Sequence, residues 1–247
     1  MDHRPEELLI SVITDMIRGD RHVAVGAASP IPGCAALLAQ AEADRRFDVT
    51  ILHSRRHNRF TDGARELFDT AAQGRIDTFF LGGVQIDGHG NINLVGVGDY
   101  PHLEKRFSGS FGSALMYFVV PKVILFREEH SPRTLVDKVD FVSAPGTSAP
   151  DIYRPGGPHA LVTGKAVFAF DREDGGFHLR STHPGVTVDE LVRATGFTFA
   201  YSDDVGETPI PSAGRLARLR REIAPKVLEF YPEFTNRVFG KFLGPST

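Results

Sequence analysis

Over its first eighty residues the chain alternates short β-branched or aromatic runs with amphipathic segments, and this alternation limits the folds open to it. Leu9, Val12, Ile13, Met16 and Ile17 recur at the three-and-four spacing of a helix that packs one face, with Gly19 as its stop. A short strand is predicted at His22 to Val25, then a small-residue turn at Gly26 to Gly33. A helix follows with Cys34, Leu37, Leu38 and Ala41 on one face. Asp48 to Leu52 reads as the next strand, Arg65 to Gln73 as the next helix, and Ile76 to Leu81 as a buried strand. Repeated strand-then-helix units favour parallel strands joined by crossovers. The expectation is therefore an α/β fold, an open, mostly parallel sheet with helices on both faces.

Beyond Leu81 the pattern becomes richer in β structure. Strands are predicted at Ile92 to Val97, Lys122 to Phe126, Val139 to Val142, His159 to Phe170 and Phe177 to Ser181, and Asp174-Gly175-Gly176 is expected to close an added β-hairpin. Thr187-Val188-Asp189-Glu190 has capping-box form, with Gly196 suited to end the helix. Leu216, Leu219 and Ile223 line a basic helix whose Arg215, Arg218, Arg220 and Arg221 are expected on a solvated or subunit-facing surface. Pro145 to Pro158 holds four prolines and three glycines and reads as a loop across the sheet rather than a boundary. Residues 1–247 are accordingly read as a single α/β domain.

At 247 residues the chain can bury a substantial core without staples. A lone cysteine, Cys34, excludes an intrachain disulfide and fits a reducing compartment, so a cytoplasmic location is expected. The net charge of -3, with both signs interspersed, gives no footprint for nucleic acid. The apolar run Ala114 to Phe126 is broken by Pro121 and Lys122 and falls short of the roughly 20 residues a spanning helix needs, so no membrane partner is expected. The N-terminus lacks the basic region and apolar core of a secretory signal. Histidines are scattered and no Cys-x-x-Cys or His-Glu-x-x-His spacing occurs, so no metal is expected.

Gly82 to Gly98 crowds turn residues and side-chain amides between two apolar runs. Glycines let main chain approach a ligand, Gln85, Asn91 and Asn93 offer amide donors and acceptors, and Asp87 adds a carboxylate. Two readings stand side by side: a ligand-binding rim, or a β-hairpin whose Asp87-Gly88 and Gly90-Asn91 pairs simply turn the chain. A second loop, Gly109-Ser110-Phe111-Gly112-Ser113, places two glycines and two hydroxyls before a segment able to begin a helix. Such an arrangement suits an oxyanion pocket as well as an ordinary N-cap.

Gly-Gly-Val-Gln-Ile-Asp-Gly-His-Gly-Asn-Ile-Asn over Gly82 to Asn93 resembles a signature of the β subunits of family I CoA-transferases, glutaconate CoA-transferase among them. Lys105 to Ser113, the Lys138-Val139-Asp140-Phe141-Val142-Ser143 segment, and His183-Pro184-Gly185-Val186-Thr187 resemble further blocks of that family in order and spacing. The resemblance spans most of residues 20 to 225. It implies a CoA-transferase-like sheet, with a coenzyme A thioester as substrate and no tightly bound cofactor. An α-type CoA-transferase subunit is implied as partner, in an α2β2 heterotetramer. The acyl group is expected to be that of a carboxylic or dicarboxylic acid.

In that family a β-subunit glutamate at the end of the second strand attacks the acyl-CoA, because a carboxylate can exchange acyl group and CoA reversibly. Here the matching position falls at Ser54, and no glutamate lies between Asp44 and Glu66. Relatives without that glutamate include a ring-opening hydrolase of steroid catabolism and a decarboxylase acting on a methylglutaconyl-CoA. The resemblance makes CoA transfer the first expectation; with the glutamate absent, the alternatives are hydrolysis, C–C cleavage, decarboxylation or isomerisation on a retained CoA site, or a catalytically silent scaffold. A sugar-phosphate isomerase-like activity is a weaker alternative on a related sheet. Ser54 and His57 are the candidate catalytic residues, the latter as a proton shuttle. A Ser54 nucleophile would need His53 or His57 as base and Asp62 to orient it. Arg55, together with Arg56 and Arg59, is expected to meet a substrate carboxylate or a CoA phosphate. Gln85, Asn91, Asn93, Gly109 and Gly112 complete the substrate-binding candidates.

Overall fold

In the computed structural model, which describes residues 2–243, the chain groups into two compact units interleaved along the sequence. Of the described residues, the first holds 2–61, 76–80 and 209–243, and the second holds 62–75 and 81–208.

The first unit is built on parallel strands, as the strand–helix alternation predicts. His22–Val25 runs between Asp48–Ile51, with His22 opposite Asp48 and Val25 opposite Ile51, and Thr78–Leu81, with Val23 opposite Thr78. The predicted strand and its observed bounds coincide at His22–Val25. The first helix spans Pro5–Met16 and buries Leu8, Leu9, Ile10 and Ile13. The second spans Pro30–Glu42, so Pro30 to Gly33, expected in the turn, instead form its first turn; proline at the first helical position needs no N–H partner. Cys34, Leu37 and Leu38 are buried as expected. Near the C-terminus Ala213–Arg218 leads through a π-helical turn, Leu219–Ile223, into Ala224–Val227, and Pro232–Phe239 follows. Leu216, Leu219 and Ile223 point into the core, but two of the four arginines do not sit on a solvated face. Arg220 is 8% exposed and forms a bidentate pair with fully buried Glu7 at 2.6 and 2.7 Å. Arg215 grips both Asp15 and Glu42.

The second unit carries a mixed sheet. Lys122–Arg127 pairs in parallel with Pro158–Thr163, which pairs antiparallel with Ala166–Asp171, which pairs antiparallel with Gly176–Thr182; Gly206–Glu207 joins in parallel at the far edge. The run predicted as one strand from His159 to Phe170 is two strands joined at Gly164-Lys165. The expected hairpin at Asp174 to Gly176 is present, with Gly175 at φ +67°. Thr187 caps the Val188–Ala194 helix, accepting from Glu190 N–H while Glu190 reaches back to Thr187 N–H. Two predicted strands do not form as such. Ile92 to Val97 divides into two-residue strands, Ile92–Asn93 paired with Gln85–Ile86 and Gly96–Val97 paired with Lys105–Arg106. Val139 to Val142 joins no ladder, although Ala144 just beyond it bridges to Ile92. Among the described residues no helix is long and apolar enough to cross a membrane.

Candidate active site

The candidate residues fall into two groups, one in each unit. Ser54, Arg55 and His57 lie on the loop after the Asp48–Ile51 strand, at the carboxyl end of parallel strands, where open α/β sheets commonly hold ligands. Ser54 is 3% exposed. Its Oγ accepts hydrogen bonds from Arg56 N–H at 3.2 Å and His57 N–H at 3.0 Å, and its own N–H donates to Ile51 O at 3.0 Å. The hydroxyl therefore holds the turn closed, a role serine performs by replacing a backbone acceptor.

No imidazole is hydrogen-bonded to that hydroxyl among the described residues. His53 stacks on Tyr231 with ring centroids 5.8 Å apart, and His57 meets the ring of Phe230 edge-on at 6.1 Å. Burial pushes the His57 pKa below its ordinary value, against a smaller opposing pull from Glu229. It is accordingly neutral near pH 7, the form that can accept a proton. Asp62, expected to orient a histidine base, instead pairs with Arg65 at 3.4 Å. The three arginines also separate. Arg56 pairs with Glu229 at 3.4 Å and Arg59 with Asp48 at 2.6 Å, whereas exposed Arg55 makes no ion pair among the described residues. Of the three, Arg55 is the guanidinium open to an anion.

In the second unit the glycine-rich stretch forms a hairpin, with Gln85–Ile86 paired antiparallel to Ile92–Asn93. Asn93, fully buried, uses its whole carboxamide internally: Nδ2 donates to Gln85 Oε1 and Gly96 O, both at 2.7 Å, while Oδ1 accepts from Val95 N–H at 3.0 Å and Gly96 N–H at 3.2 Å. Asn91 is engaged in part: Nδ2 donates one hydrogen to Asp87 Oδ2 at 3.0 Å and Oδ1 accepts from Gly146 N–H at 3.1 Å, which leaves the second Nδ2 hydrogen without a partner among the described residues. Asp87, 2% exposed, also accepts from the N–H groups of His89 and Asn91. These side chains hold the loop in shape from within.

Gln85 differs. Its Oε1 accepts from Asn93 Nδ2 and from Asp140 N–H at 2.9 Å, which fixes the amide's orientation because only oxygen can accept a backbone N–H. Its Nε2 is left with no partner among the described residues. All three amides thus build the loop, and Gln85, only 6% exposed, and half-buried Asn91 keep unpartnered N–H groups within it.

The second glycine loop is bound to the first. Gly109 N–H, expected as an oxyanion donor, already donates to Leu94 O at 3.3 Å. Gly112 sits at φ +72° as N-cap of the Ser113–Val119 helix, and a Cβ there would strike the ring of Phe68. No residue but glycine fits both constraints. Gly112 N–H has no partner among the described residues, so of the two glycines it is the one with a donor to offer. His183, from the third block, is a buried structural residue: Nδ1 contacts Thr208 Oγ1 and Nε2 contacts Thr163 O, both at 2.9 Å. Asp171, Asp174 and His178 lie close enough to share a cation, but they are surface groups around a turn. Clefts of about 410 and 520 Å³ open beside the Pro5–Met16 helix, and none of the candidate residues lines them.

Residues 1–194 match the sequence profile of the Coenzyme A transferase family. The chain belongs to that family. It is 33% identical over 153 residues to the β subunit of 3-oxoadipate CoA-transferase from Pseudomonas knackmussii, covering 60% of this chain and 58% of the relative. The same identity holds over 154 residues with the β subunit of glutaconate CoA-transferase from Acidaminococcus fermentans, covering 59% and 56%. The matches thus span little more than half the length of these curated CoA-transferase chains. A cholesterol ring-cleaving hydrolase IpdB subunit of Rhodococcus jostii is 33% identical over 168 residues, 66% of each chain. In three dimensions the Rhodococcus jostii IpdAB structure aligns over 96% of this chain and 99% of its own with a TM-score of 0.82 at 24% identity, a likeness of fold. The β subunits of CoA-transferases and a ring-cleaving hydrolase subunit therefore share this chain's sequence pattern at equal identity.

Proposed function

We propose that this chain is the β-type subunit of a two-subunit enzyme of the CoA-transferase family acting on an acyl-CoA thioester of a carboxylic or dicarboxylic acid. The observation that carries the reading is the match over residues 1–194, which includes the glycine-rich stretch with unpartnered amide hydrogens at Gln85 and Asn91. In this reading the α-type partner completes the site, within an α2β2 assembly. Arg55 meets a carboxylate or a CoA phosphate through its guanidinium fork. Within the second unit, Gln85 Nε2 and Gly112 N–H are the donors suited to an oxyanion, the charge that gathers as a thioester is attacked.

The Ser54 position favours hydrolysis, C–C cleavage or decarboxylation over CoA transfer within that family reading. Transfer through a glutamyl thioester needs a free carboxylate, and the nearest carboxylates in sequence, Asp48 and Asp62, are paired with Arg59 and Arg65. Ser54 Oγ, bound by two N–H groups and by no imidazole, is a poor nucleophile as it stands and instead sets the loop that presents Arg55 and His57. His57, neutral at pH 7, would move the proton.

Co-expression with an α-type subunit, followed by incubation with a panel of acyl-CoAs with and without acetate as acceptor, tests this. The expected result is consumption of at least one dicarboxylic or cyclic acyl-CoA without acetyl-CoA forming. Acetyl-CoA formation would restore transfer as the reaction, and an assembled complex that leaves every thioester untouched would remove the enzyme reading.

A further inference from the structure

Three consecutive residues, Glu229, Phe230 and Tyr231, each touch a different residue of the loop that carries Ser54. Glu229 Oε2 lies 3.4 Å from Arg56 Nε, the Phe230 ring meets His57, and the Tyr231 ring stacks on His53. Tyr231 also reaches the neighbouring loop: its hydroxyl donates to Gly26 O at 3.2 Å and accepts from Ser29 N–H at 3.3 Å. One side chain therefore ties the loop after His22–Val25 to the loop after Asp48–Ile51. A Cβ at Gly33 would come within 3.2 Å of Tyr231 Cε2, so the ring rests directly on the helix that begins at Pro30. Phe230 and Tyr231 are nearly buried and pack against each other at 4.9 Å, whereas Glu229 keeps a third of its side chain in solvent. All three lie beyond residue 194, where the family profile ends.

We propose that Glu229, Phe230 and Tyr231 form a clamp that fixes the Ser54 loop for turnover, and that Glu229 sets the local charge around His57. They are positioning residues, acting through Arg56, His57 and His53. The clamp's catalytic part rests on the reading of this loop as one wall of an acyl-CoA site. The groups acting on His57 are Glu229, which favours its protonated form, and Lys226 and Arg56, which oppose it, with burial opposing it most strongly. A buttressed loop keeps its reacting groups within the few tenths of an ångström that a productive geometry tolerates, and displacement of about 1 Å costs up to a hundredfold in rate.

The test uses the full chain, assembled with its partner for kinetics. The His57 ring resonance, identified by its absence in His57→Gln, is titrated by NMR in the wild type, Glu229→Gln and Glu229→Asp. Glu229→Gln is expected to lower the His57 pKa measurably, because it removes the one group that favours protonation, and Glu229→Asp is expected to restore most of it. Tyr231→Phe, which keeps the ring and removes both hydroxyl bonds, is expected to move the His53 and His57 resonances. In the assembled enzyme each change should lower kcat about tenfold with KM little altered, and Glu229→Gln should shift the acid limb of the pH–rate profile to lower pH. A purely structural role would lower the melting temperature and leave the His57 titration and kcat unmoved, and that result overturns the proposal. If the assembled wild type consumes no acyl-CoA, the acyl-CoA reading fails, while the resonances still decide whether the clamp holds the loop.

Discussion

Gln85 and Asn93 share one hydrogen bond and perform different tasks, which makes isosteric substitution informative at each. Asn93→Asp replaces the Nδ2 donor with an anionic oxygen facing Gln85 Oε1 and Gly96 O in a fully buried position. Two acceptors would meet a third with no water between them, at an expected cost of about 3 kcal/mol in a urea titration. Gln85→Glu keeps the oxygen that accepts from Asn93 and Asp140 and replaces the unpartnered Nε2, in a side chain only 6% exposed. Some stability should be lost because the new carboxylate is only 6% exposed, though less than in Asn93→Asp since two N–H donors already face its oxygen, whereas acyl-CoA affinity should fall about tenfold as a donor becomes a repelling acceptor. Equal loss of stability in both variants would reassign Gln85 to the scaffold.

At the scale of elements, the buried Glu7–Arg220 pair joins the first helix to the π-helical turn. Glu7→Gln leaves a guanidinium 8% exposed with its carboxylate gone, an expected loss of about 3–5 kcal/mol by urea midpoint. Glu7→Leu combined with Arg220→Met should recover most of that, since a hydrophobic pair of similar volume needs no partner charge. This pair also shows where the sequence is silent. Arg220 reads locally as one more cation on a basic helix, and the residue that buries it is 213 positions away. Periods of two and 3.6, by contrast, are local, so His22–Val25, the Pro5–Met16 helix and the Thr187 capping box were legible without any knowledge of neighbours. Val139 to Val142 had the composition of a strand, yet Asp140 Oδ2 accepts from Gly98 N–H and Ser143 Oγ from Leu94 N–H, so side chains there do what a ladder would do. The site divides in the same way. The glycine-rich hairpin announces itself, but the orientation that leaves Gln85 Nε2 unpartnered depends on Asp140 N–H, 55 residues away. Glu229 to Tyr231 carry no local signal at all, because their meaning lies wholly in the loop they contact.

For the molecule as a whole, response to acid should come in two stages with different owners. His130 is 7% exposed, held between Thr163 Oγ1 at 2.8 Å and Thr195 Oγ1 at 2.9 Å, and burial depresses its pKa to about 4. His183, bonded to the carbonyl of that same Thr163, is also lowered by burial. A histidine whose folded pKa lies below its unfolded value of about 6.5 binds its proton more readily in the unfolded chain, so stability is complete above that value and declines as pH falls toward the folded pKa. From pH 7 to pH 5 the loss from His130 alone should be about 2 kcal/mol. Carboxylates with depressed values, such as Asp77 beside the Arg21 guanidinium, act in the same direction in a lower window: their stabilisation holds above the ordinary carboxylate range and is lost only as pH drops through it. Urea midpoints measured between pH 7.5 and pH 3 should therefore fall first between pH 6.5 and pH 4, then again below. In His130→Gln, whose amide can still bond both threonines, the first fall should shrink while the second remains. An unchanged first stage in that variant would place the proton uptake on another group.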